Sequence, residues 1–320
     1  LEPADQSTSR AGGVEGAGEV SRTQQLITAL IVFGPFLGAL IAIPLLWGHY
    51  VNTTDLVMAA IFYVIPVLGM TVGFHRLFTH RSFKANRPLR IALAVAGSAC
   101  IEGQVTTWVA THRRHHRYSD VEGDPHSPHR FGTGTSSILR GLVFAHVGWL
   151  FVTDSTSAER YAPDLLADRD IRRVDRLFPV IAAVSLLLPF VIGYGLSGTL
   201  GGALGALLWA GLLRMALLHH VTWSVNSICH TFGGRRYATR DKSTDVAILA
   251  VLSMGESWHN GHHARPSCAR HGAVRGQLDI SAEVIRLFER LGWATRVRWP
   301  AAEPELAVDD SSCTLSEGFE

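Results

Sequence analysis

Apolar residues in this chain come in long unbroken blocks rather than at helical or alternating spacing. No charged residue occurs from Thr23 to Thr54, from Leu56 to His75, or from Leu177 to Leu213. A helix needs about 20 mostly apolar residues to cross a bilayer. The first two blocks hold one crossing each. The third holds two, around a hinge at Gly195, Gly198, Gly201 and Gly202. The pattern predicts spans at about residues 26–47, 56–74, 178–196 and 200–221. Pro35, Pro44, Pro66, Pro179 and Pro189 fall inside them, which membrane helices tolerate. Ile91 to Cys100 is apolar but too short to cross, and is expected on or just under the membrane surface, as is Leu142 to Val152. Strand-like alternation is scarce, so the polar segments 75–177 and 222–300 are expected to be helical. The predicted fold class is all-α: an integral membrane protein with four transmembrane helices and a helical cytoplasmic cap. One membrane domain, 23–300, lies between a polar tail, 1–22, and an acidic tail, 301–320, both expected to be disordered.

The placement of charge orients these spans. Arg22 precedes the first, and Arg76, Arg81, Lys84, Arg87 and Arg90 follow the second. Arg172, Arg173 and Arg176 precede the third, and Arg235, Arg236 and Arg240 follow the fourth. The positive-inside rule then puts both termini and both polar segments in the cytoplasm. An even number of spans requires the same. Arg214 falls within the fourth span and is expected to snorkel to the head-groups.

Composition adds exclusions. Only 18% of the 320 residues are charged, against about 25% in soluble domains. That rules out a disordered chain or a small disulfide scaffold. The four cysteines form no C-x-x-C pair, so neither a disulfide framework nor a thiolate zinc site is indicated. Residues 1–22 lack an apolar core, so the first span is expected to act as an uncleaved insertion signal. The net charge of +2 is uninformative as a total, and no nucleic-acid partner is expected. Arginine makes up all the basic residues but Lys84 and Lys242, which suits a genome rich in G and C.

Sixteen histidines carry the candidate chemistry, and most fall in four blocks near span ends. The blocks are His75-Arg-Leu-Phe-Thr-His80, His112-Arg-Arg-His115-His116, Asn226-Ser-Ile-Cys-His230 and His259-Asn-Gly-His262-His263. On a helix, positions i, i+3 and i+4 share a face. The trios 112/115/116 and 259/262/263 therefore project together, and Asn226 and His230 form an i, i+4 pair. His75 and His80 diverge on an ideal helix and converge only if the helix ends between them. Nine imidazoles exceed the needs of one tetrahedral zinc and fit two metals of higher coordination number. Imidazole suits iron, copper, nickel and zinc alike. The near-absence of Cys and carboxylates from the blocks excludes an iron–sulfur site and a carboxylate-bridged bundle. His219 and His220 are expected to be buried hydrogen-bonding groups, and His126 and His129 to be exposed. His49, His146 and His271 are given no metal role.

With the flanking text Gly123-Asp-Pro-His126, His146-Val-Gly-Trp149, Thr222-Trp-Ser-Val-Asn226 and Gly255-Glu-Ser-Trp-His259, these blocks resemble the membrane fatty acyl desaturases. The stearoyl-CoA enzymes and their bacterial relatives are the most similar. The resemblance implies a di-iron centre with nine His ligands (His75, His80, His112, His115, His116, His230, His259, His262, His263) and one water held by Asn226. It implies two Fe2+ ions, O2 as co-substrate, and a cis double bond at carbon 9 of a C16–C18 acyl chain, with acyl-CoA as the expected substrate. Trp108, Thr222 and Trp223 would line a bent tunnel, with core packing as the alternative. Glu256 would support a ligating His, or be merely a helix-start charge. Ala110 and Thr111 stand where the animal enzymes carry an Arg-Asp pair that contacts coenzyme A, which leaves the head-group contact open. No cytochrome b5-like domain is fused, so electrons are expected from a separate donor, a ferredoxin or similar carrier with an NAD(P)H reductase. The expected location is the bacterial cell membrane, with the site on the cytoplasmic side among membrane lipid. Arg113, Arg114, Arg117, Arg235, Arg236 and Arg240 would form the donor's docking face, or simply the positive-inside excess. A membrane di-iron hydroxylase and a His-rich metal transporter are the rival readings.

Overall fold

The computed structural model describes residues 22–46, 52–152 and 156–300. The two tails expected to be disordered lie outside the described residues, apart from Arg22. α1 (Arg22–Leu46) is the helix of the first predicted span. α2 (Thr53–Leu68) opens with a capping box, in which Asn52 accepts from the Asp55 backbone and Asp55 from that of Asn52. It continues unbroken as a π-helix over Gly69–Thr79. α3 (Arg87–Ser98), α4 (Val105–Tyr118) and α5 (Thr135–His146) follow, then short α6 (Ala158–Tyr161) and α7 (Pro163–Ala167). α8 (Arg169–Ser197) starts on the cap Asp168 and ends at Gly198, whose φ of 67° is a conformation that favours glycine. α9 (Leu200–Ala206), a second π-helical stretch (Leu207–Leu213) and α10 (Arg214–Ser227) make one continuous rod. α11 (His259–Ala264) and α12 (Ile280–Arg290) complete the cap. Among the described residues the only sheet is β1 (Lys84–Ala85) antiparallel to β2 (Ala294–Thr295).

Three rods are long and apolar enough to cross a membrane: Thr53–Thr79, Arg169–Ser197 and Leu200–His230. They have 27, 29 and 31 residues, so each is at least about 40 Å long. That exceeds the hydrocarbon thickness of about 30 Å, and each rod therefore projects beyond the apolar layer. The apolar stretch of α1, Gln25–Gly38, is shorter. On α8, Val180, Val184, Leu187 and Val191 form an exposed apolar stripe that only lipid would solvate well.

The projecting ends lie together. Arg81 pairs with Asp164, Arg87 makes two bonds to Asp170 (2.7 and 2.9 Å), and Arg90 pairs with Asp168. These pairs tie the end of the second predicted span to the start of the third. Arg76, counted with the positive-inside residues, is instead fully buried.

α3 packs closely on its neighbours. A Cβ on Gly69 would meet the Gly97 nitrogen at 2.2 Å, so α3 and the first π-helix pack backbone against backbone. α3 also packs on α8, and its carbonyl end therefore lies inside the helical bundle. Such orphan carbonyls need donors. Ser185 and Arg214 supply them at Ala99, and Arg214 does not snorkel. It is 2% exposed, donating to the carbonyls of Ala210 (2.9 Å), Ser185 (2.7 Å) and Ala99 (3.4 Å). His219 Nε2 meets the Cys100 carbonyl at 2.7 Å. The main core runs from the first π-helix through α3 and α4 to α12, with Phe74, Val109, Ile171 and Ile285 fully enclosed.

Candidate metal centre

Two histidine blocks lie at the ends of membrane-length rods, and the other two ride on the cap helices α4 and α11. The first π-helix brings His75 and His80 together by a route different from the one expected. The helix does not end between them; it widens, and the His80 N–H bonds the His75 carbonyl (3.1 Å) in the i→i+5 pattern. Residues five apart thus stack on one face, and the two ring centroids are 4.8 Å apart. α4 carries His112, His115 and His116, and Asp175 fixes its start by accepting from the Val105 N–H (2.8 Å) and the Thr106 hydroxyl (2.7 Å). α10 stops at Ser227 and tightens into a 3-10 turn that carries His230, so Asn226 and His230 do not share a regular α-helix. α11 carries His259, His262 and His263, and Asn260 anchors it through the backbone N–H groups of Arg236 and Tyr237 (2.8 and 2.7 Å).

The nine imidazoles sort into two groups. His75, His80, His112, His116 and His262 offer five nitrogens within 4.8 Å of one another; His115, His230, His259 and His263 offer four. Nε2 atoms face each other at 3.0 Å (His75–His262), 2.9 Å (His262–His116) and 3.1 Å (His116–His112) in the first group. In the second they do so at 3.0 Å (His259–His230) and 3.1 Å (His263–His259).

Carboxylates decide which atoms these are. His115 Nδ1 donates to Asp124 (3.0 Å), His230 Nδ1 to Asp120 (2.8 Å) and His263 Nδ1 to Asp241 (2.9 Å). A neutral ring that donates from Nδ1 presents a bare lone pair at Nε2. Three lone pairs thus converge beside His259, whose ring can supply only one proton. Such a cluster is repulsive unless a cation sits among it. Burial, reinforced by neighbouring rings, holds His112, His116, His259, His262 and His263 well below the usual histidine range, so protonation does not supply the charge. Burial also acts to lower His115, but Asp124, joined by Asp120 and Asp241, outweighs it and the net shift is upward. The donor set therefore fits two metal ions bound by neutral nitrogen, with the carboxylates fixing the tautomers from behind.

Glu256 works the same way in the five-His group, accepting from His75 Nδ1. It also pairs with Arg76, which bonds Asp279 (3.0 Å) and the Ala269 carbonyl (3.0 Å). Burial, with Asp279 adding to it and Arg76 opposing, pushes Glu256 up to about 8.

An apolar cleft of about 470 Å³, counted with its open mouth, reaches the histidines. Trp108, Thr222 and Asn226 line it together with His75, His112 and His259. Trp108 also stacks on His112, at 5.0 Å and 17°. Trp223 is not among the lining residues; it is buried against His219 (5.0 Å) and His220 (5.4 Å). Ala110 is fully buried, and Thr111 donates to the Thr107 carbonyl of its own helix. His126, expected to be exposed, is 3% exposed and stacks on His115 at 4.4 Å. His129, expected to be exposed as well, is part-buried and meets the His230 carbonyl at 2.7 Å. Of the six arginines proposed as a basic face, Arg113 is engaged with Asp164 and the carbonyls of Phe78 and Tyr161, and Arg114 with the Gly123 carbonyl. Arg117, Arg235, Arg236 and Arg240 are exposed.

Sequence reasoning missed Asp120, Asp124 and Asp241, and it missed His271, which is buried beside His75 and Glu256. A signal existed for two of them, since Asp120 and Asp124 follow His116 by four and eight positions.

Comparison with known proteins agrees with this geometry. Residues 53–273 match the family model described as fatty acid desaturase. The chain is 37% identical over 271 residues to the hex-5-enoyl-[acyl-carrier protein] acetylenase of Moorena producens, covering 84% of each chain. It is 37% identical over 245 residues to delta-9 acyl-lipid desaturase 1 of Arabidopsis thaliana, covering 76% of this chain and 75% of that one. It is 33% identical over 276 residues to the sn-1 stearoyl-lipid 9-desaturase of Anabaena variabilis, covering 85% and 93%. With its mostly helical fold, membrane-length apolar rods and clustered histidines, this chain belongs to the fatty acid desaturase family.

Proposed function

We propose that this protein is a di-iron desaturase that introduces a cis double bond at carbon 9 of a saturated C16–C18 acyl chain. The observation that carries the reading is the apolar cleft ending on both histidine groups. The family supports desaturation in general; the position, the iron and the carrier are our reading. The five-His and four-His groups would each hold one iron, with Asn226 placing a water beside them. Held by those rings and reduced from outside, the irons would supply the oxidising power with which O2 takes one hydrogen from each of two adjacent carbons and, with two electrons and two protons from the donor side, leaves as two waters.

The chain's own residues do the positioning. An unactivated methylene offers no acid or base a foothold, so selectivity rests on where the chain lies. Val67, Met70, Val221 and Val225 give the cleft walls that exclude water from it. Trp108 and Thr222 line the same cleft and set which carbons reach the histidines. The acidic anchors hold the rings still, so no reorganisation is needed when the chain arrives.

The membrane reading has α1 as a fourth span, supported by its exposed apolar stripe at Leu26, Leu30, Phe33, Leu37 and Leu40. The site then faces the cytoplasm of a bacterial cell. An acidic one-electron carrier, a ferredoxin served by an NAD(P)H reductase, docks on Arg117, Arg235, Arg236 and Arg240. Arg240 donates to the His116 carbonyl (2.7 Å), which joins that surface to the centre.

The resemblance puts the acyl chain on coenzyme A, while the relatives named above act on lipid and on acyl-carrier protein. The test therefore supplies stearoyl groups on coenzyme A, on acyl-carrier protein and on a glycerolipid to purified protein with a reducing carrier. A cis-9 product from stearoyl-CoA is expected. A product from another carrier alone corrects the substrate. A product heavier by one oxygen, or an active protein holding zinc and no iron, overturns the reading.

A further inference from the structure

His271 stands outside both histidine groups, yet it is 1% exposed. Its backbone is clamped on two sides. The N–H donates to Asp279 at 2.7 Å, and the carbonyl lies so close to α11 that a Cβ on Gly261 would meet it at 2.7 Å. Its ring centroid is 4.3 Å from that of His262 and 5.2 Å from that of His75. Its Nδ1 lies 3.6 Å from Glu256 Oε2, just outside hydrogen-bond reach. Among the described residues neither ring nitrogen of His271 has a hydrogen-bond partner, and neither does Nδ1 of His262. Buried polar atoms left single like this are costly and rare. Two adjacent buried rings with three such nitrogens between them call for a shared explanation.

His262 supplies it. Its Nε2 already faces His75 and His116 in the five-His group, so Nδ1 is the end left to be oriented. Metal-bound imidazoles nearly always donate their other N–H to an acceptor. No carboxylate meets His262 Nδ1 among the described residues, and the adjoining ring is that of His271.

We propose that His271 is the positioning residue for His262: it accepts the Nδ1–H of His262 and gives its own N–H to Glu256. The chain His262–His271–Glu256 does in two links what Asp120, Asp124 and Asp241 each do in one. Glu256 then orients both His75 and, through His271, His262. A small rotation of the His271 ring closes both contacts once His262 is fixed by a bound ion. The proposal rests on the metal-centre reading above.

The test compares iron-loaded wild type, His271→Leu and His271→Gln as full-length protein in detergent. The readouts are iron retained after a timed chelator challenge, the Mössbauer spectrum of the ferrous centre, and the unfolding temperature of the iron-free protein. His271→Leu should release one of its two irons roughly 10- to 100-fold more readily and shift one of two spectral components. His271→Gln, whose amide both accepts and donates, should recover both to within a few-fold. The unfolding temperature of iron-free His271→Leu should not fall below wild type, since the leucine removes unpaired polar atoms. Unchanged retention and spectra in His271→Leu overturn the proposal, as does a His271→Gln variant no better than His271→Leu. Should the leucine variant not fold, His271→Asn, too short to reach both partners, takes its place with the same expectations. A wild type that binds no iron overturns the metal-centre reading itself, and that outcome is distinct from the others.

Discussion

The two histidine groups are built from the same blocks but braced differently. In the four-His group, three of four rings donate to an aspartate: His115 to Asp124, His230 to Asp120 and His263 to Asp241. In the five-His group only His75 meets a carboxylate among the described residues, Glu256. The other four rings are placed by the π-helix, by α4, by α11 and by packing on one another. The aspartates also hold themselves ready. Against the upward pull of burial, the neighbouring histidines keep Asp120 and Asp124 well below the usual carboxylate range. One group is thus set by hydrogen bonds made before any ion arrives, and the other by helix geometry and steric fit. Direct anchoring costs three buried carboxylates and fixes tautomers. Packing uses fewer charges, and the apolar cleft, which meets two rings of the five-His group and one of the other, carries a single acid in its lining, Glu256.

The sharpest way to break the comparison removes one ring from each group. His259→Ala and His262→Ala should each lower metal content below the wild-type value and reduce turnover to background, because both ions are needed for one reaction. Metal analysis of purified protein checks this, with His129→Ala as a variant outside both groups that keeps its metal. Equal loss of both ions from either variant would mean that the groups load as one unit.

The anchors come next. Asp124→Asn and Asp241→Asn should each weaken metal retention by about 10- to 100-fold, the usual cost of losing a carboxylate behind a ligating imidazole. Glu256→Gln should weaken the five-His group and leave the four-His group intact. Chelator competition measures all three. A uniform loss across both groups would show that the bracing is shared rather than local.

The sequence carried much of this and omitted a definable part. The trios on α4 and α11 were legible because helix periodicity alone puts i, i+3 and i+4 on one face. The long rods were legible because each contains a long stretch without charge. The approach of His75 and His80 was not, since a π-helix depends on tertiary packing against α3 and leaves no periodic mark. Arg214 read as a snorkelling residue because the Ala99 carbonyl at the end of α3 and the Ser185 carbonyl on α8 belong to segments 115 and 29 positions away. His271 was given no role for a similar reason: its neighbour His75 is distant in the chain, and a lone histidine has no spacing to interpret.

A smaller effect separates the empty protein from the loaded one. His112, His116, His259, His262 and His263 are buried neutral, with burial holding each far below the 6.5 of a free side chain. The unfolded chain therefore binds more protons than the folded one at acid pH, and stability falls as pH falls. The contribution is fully present above about pH 6.5 and is lost on going below it, by at most about 1.4 kcal/mol per pH unit for each group. Metal-free protein should show a steep decline in unfolding temperature between pH 7 and pH 5. Metal-loaded protein should start higher, because an ion that binds only the folded state stabilises it. The gap should narrow as protons displace metal. A flat profile for the metal-free protein would show that the rings are hydrated or paired when empty.

The finest distinction lies within one helix. Thr222 and Trp223 are neighbours on α10, and the resemblance assigned both to the tunnel, yet they face different surroundings. Thr222 lines the cleft with Trp108, and its hydroxyl donates back to the Leu218 carbonyl at 3.1 Å. Trp223 is 3% exposed and packs on His219 and His220, away from the cleft. Enlarging the first narrows the cleft without touching a ligand, so Thr222→Leu should move or scramble the double bond while metal content stays at the wild-type value. Discrimination in an apolar pocket is worth about 1–3 kcal/mol per methylene, so a product mixture is expected rather than loss of turnover. Trp223→Phe keeps an aromatic ring in the core and should lower the unfolding temperature while leaving the double bond where it was. Product analysis by chain cleavage at the double bond reads both variants. If Trp223→Phe shifts the position and Thr222→Leu does not, the chain runs on the other side of α10, and the histidines that meet it are not His75, His112 and His259.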